Sequence, residues 1–207
     1  MAKATLTQKL HNRFGELNEA GDVSGIDKLL KENNIDINAT LFKIEEDKKD
    51  EGGYYLFLEI LKGKNIPEKI DYFVASGADI SVTNDYKNAI QRLYLNKWDL
   101  PVLEKLLEVG VDPNQADNDG TTALCKHVRT YTDTLVENYD DPDAKVWYRP
   151  KPAEEYELQL KFIQLLLKYG ADPKKKNNYG TSAEDWLLHR KETGEWNEHH
   201  DALSKLL

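Results

Sequence analysis

The chain has 207 residues (23.8 kDa), 40% of them hydrophobic and 31% charged; that is too apolar for wholesale disorder and too charged for a membrane protein, and long enough for one compact domain or one short repeat array. No run approaches the roughly 18 apolar residues that span a bilayer, residues 1–7 lack the apolar stretch of a secretory signal, and the single cysteine, Cys125, excludes an intrachain disulfide framework, so a reducing, cytoplasmic setting is expected. A net charge of −9 with pI near 5.1 is the wrong sign for a general nucleic-acid binder and fits a protein partner with a basic surface.

The spacing predicts five helical pairs. The first covers 7–32, where Ile26, Leu29 and Leu30 form an apolar stripe ahead of Asn33. Asn tolerates the left-handed conformation that ends a helix. The segment 34–38 then reads as a turn with one extra residue. A connector, 38–53, carries a mixed charge run and two glycines. The second pair is 54–62 and 67–76, with Pro67 suited to a helix first turn. The third is 88–96 and 100–109, with Pro101 in the same role. The fourth runs from 122 to about 138, is interrupted, and resumes at 156–169. The fifth is 182–191 and 197–207.

Three second helices share one pattern. Apolar residues lie seven, four and three places before Gly77 (Ile70, Phe73, Val74), Gly110 (Leu103, Leu106, Leu107) and Gly170 (Ile163, Leu166, Leu167). That is one buried helical stripe, ended by a glycine and followed two residues later by a turn-forming aspartate. Gly77 and Gly110 are 33 residues apart; Gly110 and Gly170 are 60 apart, a 33-residue period plus an insertion of 27. Asp119-Gly120-Thr121-Thr122-Ala123 recurs 60 residues later as Tyr179-Gly180-Thr181-Ser182-Ala183, and more weakly at 86–89.

This pattern resembles the ankyrin repeat, whose period is about 33 residues. The resemblance covers roughly 10–207, and the segments 76–79 and 169–172, each after an apolar helix, are its most specific part. It implies an all-α solenoid of stacked helix-turn-helix pairs in a single domain, 1–207, with repeats at about 7–39, 53–83, 84–116, 117–175 and 176–207. The family usually opens its first helix with Thr-Pro-Leu-His. Here those positions read Thr122-Ala-Leu-Cys125, Ser182-Ala-Glu-Asp185 and Asn88-Ala-Ile-Gln91, without the proline or the histidine.

The insertion, 130–157, holds eight acids against three bases, −5 of the net −9, with Tyr131, Tyr139, Trp147, Tyr148 and Tyr156 interleaved. Aromatics supply anchor area and carboxylates such as Asp140 and Asp141 steer a basic partner. The alternative is that the first helix of the fourth pair is extended and the aromatics pack the returning chain against it.

Catalytic and metal patterns are weak. His199 and His200 are adjacent, so on a helix they point about 100° apart, and no His-Glu-x-x-His spacing exists; solvated surface histidines, with His189, are expected. Cys125 and His127, two apart, face different ways, and Cys125 is expected to be an inert packed thiol. Lys62-Gly-Lys64 is not a phosphate loop, and Asp140–Asp141 lacks an EF-hand spacing. The run Lys174–Lys176 is read as solvation rather than a phosphate site, and two or more of Trp98, Trp147, Trp186 and Trp196 are expected to be mostly buried. No catalytic residue, metal or cofactor is expected.

The resemblance implies a non-catalytic protein-binding scaffold that contacts its partner through hairpin tips and the exposed face of each first helix. The matching tips are Val82, Thr83, Asn84, Asp85 and Tyr86; Gln115, Asp117, Asn118 and Asp119; and Lys175, Lys176, Asn177, Asn178 and Tyr179. The first helices add Asn96 and Trp98, and Arg129 and Tyr131; the insertion adds Asp140, Asp141, Trp147 and Tyr148. A monomeric, stoichiometric binder or inhibitor is expected, in character like ankyrin-type bacterial immunity proteins that neutralise a toxin. An adaptor or assembly chaperone with several partners is the alternative, and an enzyme with a site at His127, Asp133 and Glu137 is a third.

Overall fold

A computed structural model describes residues 8–41, 54–83, 87–93, 99–131, 134–136, 147–149, 152–194, 196 and 198–207. The residues group into two compact units, 1–94 with 101–112, and 95–100 with 113–207. Helices dominate both. Among the described residues, two antiparallel ladders of two and three residue pairs build no layer.

In the first unit, α1 (Gln8–Ala20) and α2 (Val23–Glu32) form a hairpin. The Asp22 side chain caps α2 by accepting from the Gly25 amide at 2.8 Å, which with the Ser24 hydroxyl holds its carboxyl below the usual range. The ladder β1 (Thr40–Leu41) with β2 (Tyr54–Tyr55) leads into a short α3 (Leu56–Glu59) and then α4 (Ile66–Ala75). A 3₁₀ turn, Ile90–Arg92, and α5 (Asp99–Glu108), which belongs to this unit from Pro101 onward, complete it. Phe14, Ile26, Leu56, Phe57, Ile70, Phe73, Ile90, Leu103 and Leu106 are buried. The stripe places seven and four before each glycine lie inside, as the spacing requires; of those three before, Leu107 is buried but Val74 only half-buried.

The second helices α2, α4 and α5 end in the same way. The amides of Gly77 and Ala78 donate to Val74 and Phe73 carbonyls, those of Gly110 and Val111 to Leu107 and Leu106. These paired bonds satisfy carbonyls that a helix end leaves open. In α2 the donors are Asn34 and Ile35, and the left-handed residue is Asn34 (φ 50°), not Asn33, which keeps φ −105°. The expected register there is off by one. With Asn34 in the glycine position, Leu30 matches Phe73 and Leu106, and 34–38 needs no extra residue.

Two sets of bonds join the first two pairs. At the tail end, Asn38 Oδ1 accepts from the Asp79 amide at 2.7 Å and Nδ2 donates to the Gly77 carbonyl at 3.1 Å. At the opposite end, Lys69, fully buried, donates to Asn18 Oδ1 (2.6 Å), to the Asn18 carbonyl (3.1 Å) and to the Lys62 carbonyl. Asn18 Nδ2 in turn donates to the Glu59 carbonyl at 2.9 Å. Lys105 of α5 pairs with Asp71 of α4 at 2.8 Å, and Arg92 with Glu59 at 3.5 Å.

The second unit contains α6 (Ala123–Arg129), β3 (Thr134–Val136), β4 (Trp147–Arg149), α7 (Ala153–Lys168), α8 (Ala183–Glu192) and α9 (Glu198–Ser204). The expectation that the first helix of the fourth pair runs to about 138 is corrected: α6 stops at Arg129. Thr130 turns its hydroxyl back to the Lys126 carbonyl (3.0 Å), and the β-prone Thr134-Leu-Val136 pairs with Trp147-Tyr-Arg149 instead. Gln159 of α7, fully buried, donates to the His127 carbonyl at 2.6 Å and to Thr130 Oγ1 at 3.1 Å. α7 starts at Ala153, before the expected 156, because Glu154 and Glu155 favour a helix N-terminus.

The missing Thr-Pro-Leu-His is replaced by local caps. Ser182 and Asp185 bond reciprocally, amide to carboxylate at 2.8 Å and amide to hydroxyl at 3.2 Å. Asn88 and Gln91 do the same in the first unit, at 3.2 and 2.9 Å. Thr122 accepts from the Cys125 amide at 3.1 Å.

Burial pushes the Lys69 ammonium down to about 8 from an ordinary 10.5, partly offset by Glu19. Between those two values the folded chain has released a proton that the unfolded chain still holds. Stability therefore rises with pH across that window, by up to about 1.4 kcal/mol per unit, and is flat with respect to this group below it. Urea titrations at pH 7 and pH 9.5 should show the midpoint rising in wild type. Lys69→Met should abolish that rise and lower stability by about 1–3 kcal/mol, since the two buried acceptors of Asn18 and the Lys62 carbonyl lose their donor. An identical pH response in both proteins would refute the assignment.

Candidate partner-binding surface

The hairpin turns of the second unit show how the candidate residues are held. Asp117 Oδ1 accepts from the amides of Asp119 (3.0 Å) and Thr121 (2.8 Å), while its backbone pairs with Thr121 and Gly120. Sixty residues on, Asn177 Oδ1 accepts from Tyr179 and Thr181, each at 3.0 Å, and its backbone pairs with Thr181 and Gly180. These are the same turn built twice, with Asp and Asn in the role that their short acceptors suit.

The two turns are stitched together. The Asn178 amide donates to the Asp119 carbonyl at 2.9 Å, and Asn178 Nδ2 to the Asn118 carbonyl at 2.9 Å. The Tyr179 hydroxyl donates to Asp119 Oδ1 at 3.3 Å. Below them, Asn114 Oδ1 accepts from the Asp172 amide (2.7 Å), Nδ2 donates to the Gly170 carbonyl (2.8 Å), and Lys175 Nζ reaches the Asn114 carbonyl (2.7 Å). This repeats the Asn38 arrangement of the first unit.

Asn118, Asp119 and Asn178 are exposed, Asp117 is half-buried, and Tyr179 is 75% exposed. The structure thus brings Asp117, Asn118, Asp119, Asn178 and Tyr179 together on one rim. Tyr131 is corrected: it is 2% exposed, because the chain leaving α6 turns it edge-on against Tyr156 at 5.4 Å, so it offers no contact surface. Trp147 and Tyr148 lie in β4, opposite Val136 and Leu135. Asn84, Asp85, Tyr86, Asn96, Trp98, Asp133, Glu137, Asp140 and Asp141 lie outside the described residues.

The expectation of solvated histidines also fails at two positions. His200 is 1% exposed, between Tyr131 (6.2 Å) and Trp196 (5.3 Å), and His199 stacks on Tyr156 at 3.9 Å and 9°. His189 is exposed. The insertion stems give both α9 imidazoles a ring to pack on, and those stems lie some 40–70 residues away in sequence, beyond any local pattern. Cys125 is buried, which pushes its thiol up and leaves it a packed group. Among the described residues, no three His, Cys, Asp or Glu side chains converge as metal ligands, and no helix is long and apolar enough to cross a membrane. Trp186 and Trp196 are half-buried. Leu188, 55% exposed on α8, is a surface residue that sequence reasoning missed; it sits within Trp-Leu-Leu, which reads as core.

No family model matches the chain. The chain is similar to Ankyrin repeat and SOCS box protein 6 of Mus musculus, at 32% identity over 91 residues, covering 42% of this chain and 22% of that protein. It therefore spans less than a quarter of the length of the curated relative it matches. The similarity is consistent with ankyrin repeats and carries nothing of the bacterial immunity kind.

The stitching separates two glycines that share a turn. Gly120 (φ 73°) has Asn178 Oδ1 2.6 Å and the Asn178 amide 2.9 Å from where a Cβ would stand; Gly180 (φ 77°) has nothing within 4 Å. Gly180→Ala should cost only the left-handed penalty, about 1–2 kcal/mol. Gly120→Ala should cost about 1 kcal/mol more, because it also parts the two tips. Equal losses in thermal or urea unfolding would mean the tips are not bonded as described.

Proposed function

We propose that residues 1–207 form one ankyrin-repeat domain, a solenoid whose work is to bind another protein, and that the rim of Asn118, Asp119, Asn178 and Tyr179 is the contact surface. The observation that carries this is Tyr179. A large aromatic side chain is 75% exposed, yet its backbone amide is held by Asn177 of its own turn and its hydroxyl is bonded to Asp119 of the neighbouring turn. An exposed, pre-ordered tyrosine supplies contact area at small entropic cost, the property of binding anchors. Asn178 spends its amide on the turn, so its role is to hold the anchor in place.

The narrower form of this reading is a non-catalytic, monomeric, cytoplasmic protein that masks one basic partner stoichiometrically, with toxin neutralisation as its most specific version. The net charge of −9 supports the sign of the partner. Such a protein forms a tight one-to-one complex whose association slows steeply with salt. An adaptor would instead bind several partners weakly.

The test is affinity capture with the intact chain, followed by titration of the captured partner against Tyr179→Ala. The variant should keep the wild-type unfolding midpoint within about 0.5 kcal/mol, as surface changes do, and lose at least about tenfold in affinity, the scale of a hot spot. Unchanged affinity would remove the rim from the reading.

A further inference from the structure

The C-terminal helix is too short to stand alone. α9 has seven residues, and isolated helices below about 12 are marginal in water. It is anchored by two buried side chains, His200 and Leu203, the first of them packed among rings. Trp196 closes the near side, donating through Nε1 to Asp201 at 2.8 Å, with Lys191 over its other face at 5.8 Å. Gly194 (φ 76°), with open space around it, supplies the turn out of α8.

What α9 packs on is specific. Tyr131 is the last described residue where the chain leaves α6 for the insertion, and Tyr156 stands in the first turn of α7, where it returns. Tyr131 meets Tyr156 and His200 edge-on; Tyr156 lies flat against His199. Ring pairs of this kind are worth about as much as a net hydrogen bond each. The stems also carry the β3–β4 ladder, whose three residue pairs cannot sustain a hairpin alone.

We propose that α9 is a detachable clasp on the insertion. Docked, its adjacent histidines hold the exit stem at Tyr131 and the return stem at Tyr156 together, and the ladder forms between them. Released, α9 loses the surface that keeps it helical, and the stems lose their shared partner. The two segments order and disorder together, so a macromolecule that seizes either one shifts the other by the same factor.

Amide hydrogen exchange on the intact chain tests this. In His199→Ala, exchange should accelerate at Leu203 and at Leu135 and Tyr148 together, by roughly fivefold, the effect of losing one ring pair. Leu103 and Leu106 in α5 serve as the reference and should not change. His199→Phe, which restores a ring against Tyr156, should return both segments to wild-type protection. Faster exchange in α9 with the ladder unchanged, no change in either segment, or a loss that His199→Phe does not rescue would each overturn the proposal.

Discussion

Four of the second helices, α2, α4, α5 and α7, each depend on one residue that accepts positive φ immediately after the last turn. A ten-residue helix leaves four carbonyls open at its end. Closing two of them requires the chain to reverse within two residues, and only a left-handed residue does that. Gly77, Gly110, Gly170 and Asn34 fill the position. At the three glycines no atom crowds the place of a Cβ, so the dihedral alone calls for glycine. The reversal has a second effect. After Asn34 and Gly110 it sets an asparagine four residues on where its side chain bonds the corresponding backbone of the next tail, as Asn38 does to 77–79 and Asn114 to 170–172. A local backbone constraint thereby becomes a bond between repeats.

This is why the ends of these helices were legible in the sequence. The signals that mark the array (apolar places seven and four before a glycine, an aspartate after it) are the local requirements of that turn. They stayed visible through a 27-residue interruption because the turn is rebuilt from the same atoms each time. Where the chain lacks the Thr-Pro-Leu-His opening of the repeat it resembles, short side chains three apart close the junction instead: Asn88 with Gln91, Thr122 with Cys125, Ser182 with Asp185. The one register error arose at Asn33-Asn34, where two adjacent residues have equal tolerance for the left-handed state and only the completed bonds distinguish them.

The insertion shows the opposite case. Its helix was over-read because Thr130 to Asn138 carries no proline or glycine to stop a helix. The stop comes from α7, through Gln159 on the α6 end, and from strand pairing across the loop. The histidines of α9 were read as solvated because nothing near them in sequence is aromatic except Trp196. Their partners, Tyr131 and Tyr156, are brought to them by packing. Tertiary contacts between distant rings have no period, so no inspection of spacing finds them.

On the proposed reading, the rim of the second unit divides the work of binding between charge and shape. Asp117 has its carboxylate committed to two backbone amides, and Asp119 shares an oxygen with the Tyr179 hydroxyl. These bonds fix both carboxylates in place while leaving their charge, and Lys174–Lys176 lie close by in sequence. On that reading a net charge of −9 would accelerate encounter with a basic partner from a distance, and exposed pairs at the rim would add little to the final affinity. Discrimination at contact would then fall to Tyr179, whose ring would need a matching pocket. The two properties are separable: salt changes the first and leaves the second standing.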